Sequence, residues 1–93
     1  MRKKDITALI NCLAIERYGV FLLEFSDMLK IIKLCEDNQI PVLGIDTFYL
    51  CNEKIIPVIE KSADFSTEDT PLTINEFFKK TDLSSKYVFE IVI

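Results

Sequence analysis

The chain of 93 residues contains no histidine, no tryptophan and only two glycines. Without histidine there is no serine–histidine or cysteine–histidine catalysis, no imidazole metal ligand and no ordinary proton shuttle near neutral pH. Two glycines are too few for a phosphate-cradling loop. Three cysteines, Cys12, Cys35 and Cys51, form no CxxC pair and are odd in number. They read as reduced thiols acting as small apolar side chains rather than as a disulfide framework or a metal site. No apolar run reaches the ~18 residues of a membrane-spanning helix. The basic start Met1-Arg2-Lys3-Lys4 meets Asp5 at once, so no secretory leader is expected. What is present is a globular composition, 49% hydrophobic and 28% charged, with a net charge of −4. The expectation is one cytoplasmic domain over residues 1–93 that is not an enzyme and needs no cofactor or metal.

Hydrophobic spacing sets the expected elements. Ile6, Leu9, Ile10 and Leu13 fall on one helical face, predicting a helix over 5–17 that Gly19 stops. Val20 to Phe25 reads as a strand. Ser26 is placed to cap a helix over 27–38 with Met28, Ile31, Ile32 and Cys35 as its buried stripe. Proline disfavours helical backbone in the residue before it, so Ile40-Pro41 should lie beyond that helix. Val42 to Cys51 alternates as a strand, with Tyr49 toward the core and Phe48 on the more polar face. Asn52-Glu53 would turn it into a return strand over 54–60, placed at a sheet edge because Pro57 has no N–H to donate. Residues 61–72 are loop-like, and Thr73-Ile74-Asn75-Glu76 has the form of a capping box opening a short helix. Lys86 to Ile93 alternates strongly enough to predict a strand inside the sheet. The sum is an α+β fold: two to three helices on one face of a mostly antiparallel sheet of about four strands.

Charge is unevenly placed. Residues 34–78 hold nine acids against Lys54 and Lys61, while the stretches on either side are slightly basic. A patch of this sign repels nucleic acid and anionic membrane and steers a basic protein. The candidate partner-binding acids are Asp46, Glu53, Glu60, Asp64, Glu68 and Asp69, with Phe48 and Phe65 as aromatic anchors. The same carboxylates, Asp46 with Glu60 or Asp64 with Glu68 and Asp69, are the pairs that acid–base hydrolysis would need, the least favoured reading for so short a chain.

Three stretches carry a resemblance: Tyr18-Gly19-Val20; Ile40-Pro41-Val42-Leu43-Gly44-Ile45-Asp46-Thr47-Phe48; and Lys54-Ile55-Ile56-Pro57. Together they resemble small immunity proteins of bacterial polymorphic-toxin and contact-dependent growth-inhibition systems, the family numbered forty among them. Ile45 stands where that family has the second glycine of Gly-Gly-Asp, and its usual later tryptophan is absent here. The resemblance implies a cytoplasmic protein that binds and neutralises a cognate toxin domain without chemistry of its own. Asp46 occupies the family's aspartate position. A basic nuclease is the toxin class that an acidic inhibitor face suits. A non-enzymatic adaptor or regulatory subunit for another basic protein is the alternative that charge alone supports.

Overall fold

The structure is a computed structural model that describes residues 1–52, 54–65 and 74–93. Residues 66–72 of the expected loop, the Thr73 cap and Glu53 of the expected turn lie outside the described residues, while residues 61–65 of that loop carry the end of a 3-10 turn and a short strand. Helix α1 runs Lys3–Leu13, and strands β1 and β2 span Ile15–Arg17 and Val20–Glu24. Helix α2 spans Phe25–Asp37, strand β3 Gly44–Cys51 and strand β4 Lys54–Pro57. A single 3-10 turn at Ile59–Lys61 leads into the two-residue strand β5, Ala63–Asp64. Helix α3, Ile74–Lys80, and strand β6, Val88–Val92, follow. Every strand pairing is antiparallel, in the order β1-β2-β6-β3-β4, with β5 also paired to β3. The α+β arrangement expected from the sequence is therefore present, with more strands than four.

The first helix is shorter than its apolar spacing suggests. Asp5 accepts the backbone N–H of Arg2 at 2.9 Å and fixes the first turn. After Leu13 the backbone turns extended at Ala14, and Ile15–Arg17 pairs with Val20–Leu22. Gly19 does not end a helix. It forms, with Tyr18, the two-residue turn of a β-hairpin, φ being +54° at Tyr18 and +79° at Gly19. Positive φ at both central residues matches the twist of the flanking strands, and glycine adopts it without strain.

Helix α2 carries the expected buried stripe, Met28, Ile31, Ile32 and Cys35. It starts one residue before Ser26, from an extended Glu24, so no side chain caps it. Its end is closed by the backbone. Gln39 takes a left-handed φ of +56°, its N–H donates to Glu36, and the N–H of Ile40 donates to Cys35. This double closure satisfies the last carbonyls before Pro41 redirects the chain.

The C-terminal strand β6 sits in the middle of the sheet, between β2 and β3, and β4 with Pro57 is an edge. Side chains from α1, α2 and α3 meet one sheet face to build the core around Ile6, Met28, Ile31, Ile45, Phe77 and Phe89. Cys35 is buried among them, and burial pushes its thiol pKa up. Cys12 and Cys51 are exposed, against the expectation of three buried thiols. Cys12 lies on the solvent side of α1, and Cys51 is the last residue of β3.

The chain between β4 and β5 leaves the sheet and is tied back to β3. Thr47, fully buried, donates its hydroxyl to the Lys61 carbonyl at 2.6 Å, and its N–H donates to Ser62 Oγ at 2.9 Å. Ser62 Oγ in turn donates to the Val58 carbonyl at 2.9 Å. These bonds anchor the 3-10 turn on the helix side of β3, because Thr47 points to that side. They also leave the edge of β3 beside residue 46 without a paired strand.

Candidate functional site

The cross-strand registers define what lies on the face that the helices do not cover. Residues opposite one another in an antiparallel pair share a face. Ile15 is opposite Leu22, and Asp46 is opposite Glu90. Gly44 is opposite both Val92 and Asp64. Phe48 is opposite Val88 and Pro57, and Glu24 is opposite Val88. Three adjacent rows follow. A central one carries Leu22, Glu90 and Asp46; one neighbour carries Val92, Gly44 and Asp64; the other carries Glu24, Val88, Phe48 and Pro57.

Two features set this face apart. First, it is more apolar than the solvated side of an antiparallel sheet, which ordinarily alternates apolar-in and polar-out. Val92 and Leu50 are 41% and 40% exposed, and Phe48, Val88 and Ile55 are partly exposed beside them. Leu22 is buried, yet it stands outside the cluster on the helix side. Secondly, Asp46 and Glu90 stand opposite one another at its centre, close enough for their carboxyls to interact. Burial, and then the hydrogen bond and charge of Asp46, push the Glu90 carboxyl above its ordinary pKa of 4.5. The ion pairs among the described residues, Lys30–Asp27 and Lys33–Asp37, both lie on α2 and involve neither of these acids. Such a pair can share a proton or accept a cation between its oxygens.

Gly44 adds a depression beside the pair. A side chain there would begin 3.2 Å from the Ala63 carbonyl oxygen, a tight contact that would crowd β5 against β3. The result is a shallow hollow of about 290 Å³ whose lining includes Asp46, Asp64 and Val92.

The acids named from the sequence separate in space. Asp46 and Asp64 share the open face, and Phe48 lies in the next row beside Asp46. Glu60 sits on the 3-10 turn anchored to the helix side through Thr47, so the Asp46–Glu60 pairing considered for acid–base chemistry is not assembled. Phe65 packs its ring edge-on against Phe77, with centroids 5.7 Å apart, and belongs with the core rather than with an anchor for a partner. Glu53, Glu68 and Asp69 lie outside the described residues. Glu90 was missed. Alternation put it on the second face of its strand, but only the β3–β6 register shows that it meets Asp46.

A second polar cluster closes the far end of the core. The hydroxyls of Tyr49 and Tyr87 are 3.3 Å apart, and Lys86 Nζ lies over both rings, 6.0 and 5.2 Å from their centroids. The hydrogen bond with Tyr87, helped by Lys86 and Lys61, lowers the Tyr49 phenol below the usual tyrosine range. Tyr87 moves the other way because that bond retains its proton. Lys61 Nζ also donates to the Asp82 carbonyl at 2.7 Å, which ties the strap formed by the chain between β4 and β5 to the segment before β6.

The stacked acids make stability depend on pH with a definite sign. Glu90 holds its proton more tightly folded than unfolded, so stability falls as pH rises from the ordinary glutamate value through the raised one. Glu90→Gln should therefore stabilise the domain near neutral pH by about 0.2–1 kcal/mol, the scale of a like-charge cross-strand pair. The gain should vanish below about pH 4, where both states are protonated at this position. Thermal melts of both proteins across that range measure it; a gain that persists undiminished in acid would contradict the sign.

In comparisons with protein families, with curated proteins and with solved structures, no match to this chain was found. Among the described residues no helix is long and apolar enough to cross a membrane.

Proposed function

We propose that this chain is an immunity-type inhibitor, a cytoplasmic protein that binds a basic toxin domain and neutralises it by covering its working surface. It performs no bond-making of its own. The observation that supports the reading best is the open sheet face, where Asp46, Glu90 and Asp64 gather among exposed apolar side chains. Interface centres combine apolar anchors with a few well-placed charges, and this face has both. The acids would meet lysines and arginines that a nuclease uses to grip phosphate. The resemblance at residues 18–20, 40–48 and 54–57 leads to the same reading, with Asp46 at the family's aspartate position.

Co-expression tests it directly. Cells carrying a toxin encoded immediately upstream should survive only when this chain is made, and the two proteins should purify together. Association should slow as salt rises, since charge steering is screened within about 10 Å at 0.1 M ionic strength. Toxicity unaffected by the chain, with a different basic protein co-purifying from the native cell, would instead favour an adaptor or regulatory subunit.

A further inference from the structure

We propose that the open face of the sheet is the seat of one amphipathic helix of the partner, whose apolar stripe is interrupted by a single arginine or lysine reaching Asp46 and Glu90. This rests on the reading that the chain acts by binding a basic protein. It adds the surface, the binding element and the residue that the partner must supply.

The rows on this face give the fit. Val88, Val92 and Phe48, each at least partly exposed, flank the acid pair, so a docking element must be apolar at its rim and cationic at its centre. Each strand spacing is about 4.8 Å, so β2, β6 and β3 together present about 10 Å between outer strands, the diameter of one helix with its side chains. A twisted sheet with helices on one side most simply covers its other side with a helix. Strand addition has poor templates by comparison. One edge strand, β1, is three residues long, and the other, β4, ends in Pro57.

Charge selects among occupants. A second copy stacked face to face would bring two Asp46–Glu90 pairs toward one another, and like charges so placed repel. Among the described residues the one cation on this face, Arg17, is opposite Val20 on the β1 edge, two strands or about 10 Å from the strand of Glu90. Anionic lipid and nucleic acid are repelled for the same reason. A guanidinium, with its planar fork of donors, can bond both carboxyls at once, and its charge offsets their mutual repulsion. A docked guanidinium favours the ionised form of Glu90, so affinity rises with pH through the region where free Glu90 titrates.

The test uses a synthetic amphipathic peptide of about 18 residues, long enough to hold a helix, with leucines along one stripe and one arginine at its centre. A matched peptide carries citrulline there, which keeps the shape and loses the charge. With labelled protein, the arginine peptide should shift the amide signals of Asp46, Phe48, Val88, Glu90 and Val92. It should bind at least about tenfold more tightly than the citrulline peptide. In the doubly substituted Asp46→Asn, Glu90→Gln protein that ratio should fall to near one, while Glu36→Gln, a distant charge change on α2, should leave it intact. A proton-count titration of the wild type should show release on binding at acid pH, where free Glu90 still holds its proton, and none where it is already ionised.

Signals moving instead along the leucine groove between α1 and α2, lined by Leu9, Leu13, Leu29 and Leu34, would overturn the proposal. So would a ratio unchanged in the double variant, no binding of either peptide, or dimerisation abolished by Val92→Lys. Capture of a basic toxin that survives Asp46→Asn with Glu90→Gln would leave the immunity reading standing and remove this one.

Discussion

Phe89→Ala should cost about 3–5 kcal/mol and leave much of the protein unfolded at growth temperature, because domains of this kind hold only about 5–15 kcal/mol in total. Phe89 is fully buried at the centre of the middle strand, opposite Leu23 on one side and Thr47 on the other. Its ring lies 6.0 Å from that of Phe25 at the start of α2. Truncation would leave a cavity that these elements cannot close without breaking a strand pairing. At about 4–8 °C per kcal/mol for a domain of this size, the melting midpoint should fall by roughly 12–40 °C. Val92→Ala, on the same strand but on the open face, removes a side chain that is 41% exposed and should shift stability by no more than about 0.5 kcal/mol. Circular-dichroism melts of the two variants compare the faces directly. Equal losses would mean that the uncovered side contributes to the core.

Removing the ties between β3 and the strap should have the next largest effect. Thr47→Val keeps the shape but leaves the Lys61 carbonyl without its hydroxyl donor, and Ser62→Ala strands the Thr47 N–H and frees the Val58 carbonyl. Each should cost about 1–3 kcal/mol, the penalty for a buried polar group deprived of its partner. Thr47 and Ser62 share one network, so the double variant should lose less than the sum of the singles. Hydrogen exchange at the Thr47 and Val58 amides should accelerate in both single variants, since Val58 donates to the Thr47 carbonyl at 2.8 Å. Denaturant melts with exchange rates measure both. Unchanged protection at Thr47 in Ser62→Ala would mean that the strap does not hold the strand. A loosened strap should also disturb the open edge beside Asp46, which links this packing to the proposed docking face.

Local pattern carried a good part of the architecture. The stripe Met28, Ile31, Ile32 and Cys35 recurs at helical spacing, and those residues are the buried side of α2. Alternation from Tyr87 to Ile93 marked the strand that lies mid-sheet, and the missing N–H of Pro57 marked the edge. The β1–β2 hairpin was not legible because its turn is Tyr-Gly, and Ile15 to Arg17 also continue a helical spacing. Pairing with Val20–Leu22 outweighed that weak local preference. The early start of α2 has a similar cause: a strand leads into it directly, and its first turn needs no serine cap.

The candidate site divides along the same line. Clustered acids in the middle of the chain were visible from residue identity alone, since charge is a property of composition and position. The partner for Asp46 was not. It comes from Glu90, 44 positions later, through a pairing register that depends on the whole sheet. Phe65 likewise reads as a loop aromatic until Phe77 stands beside it. Periodicity and charge are carried by neighbours along the chain, so the sequence by itself determined the helices, most of the strands and the sign of the surface. Which carboxyls meet, and which face stays uncovered, depend on contacts between residues remote in the chain; only the tertiary structure decided them.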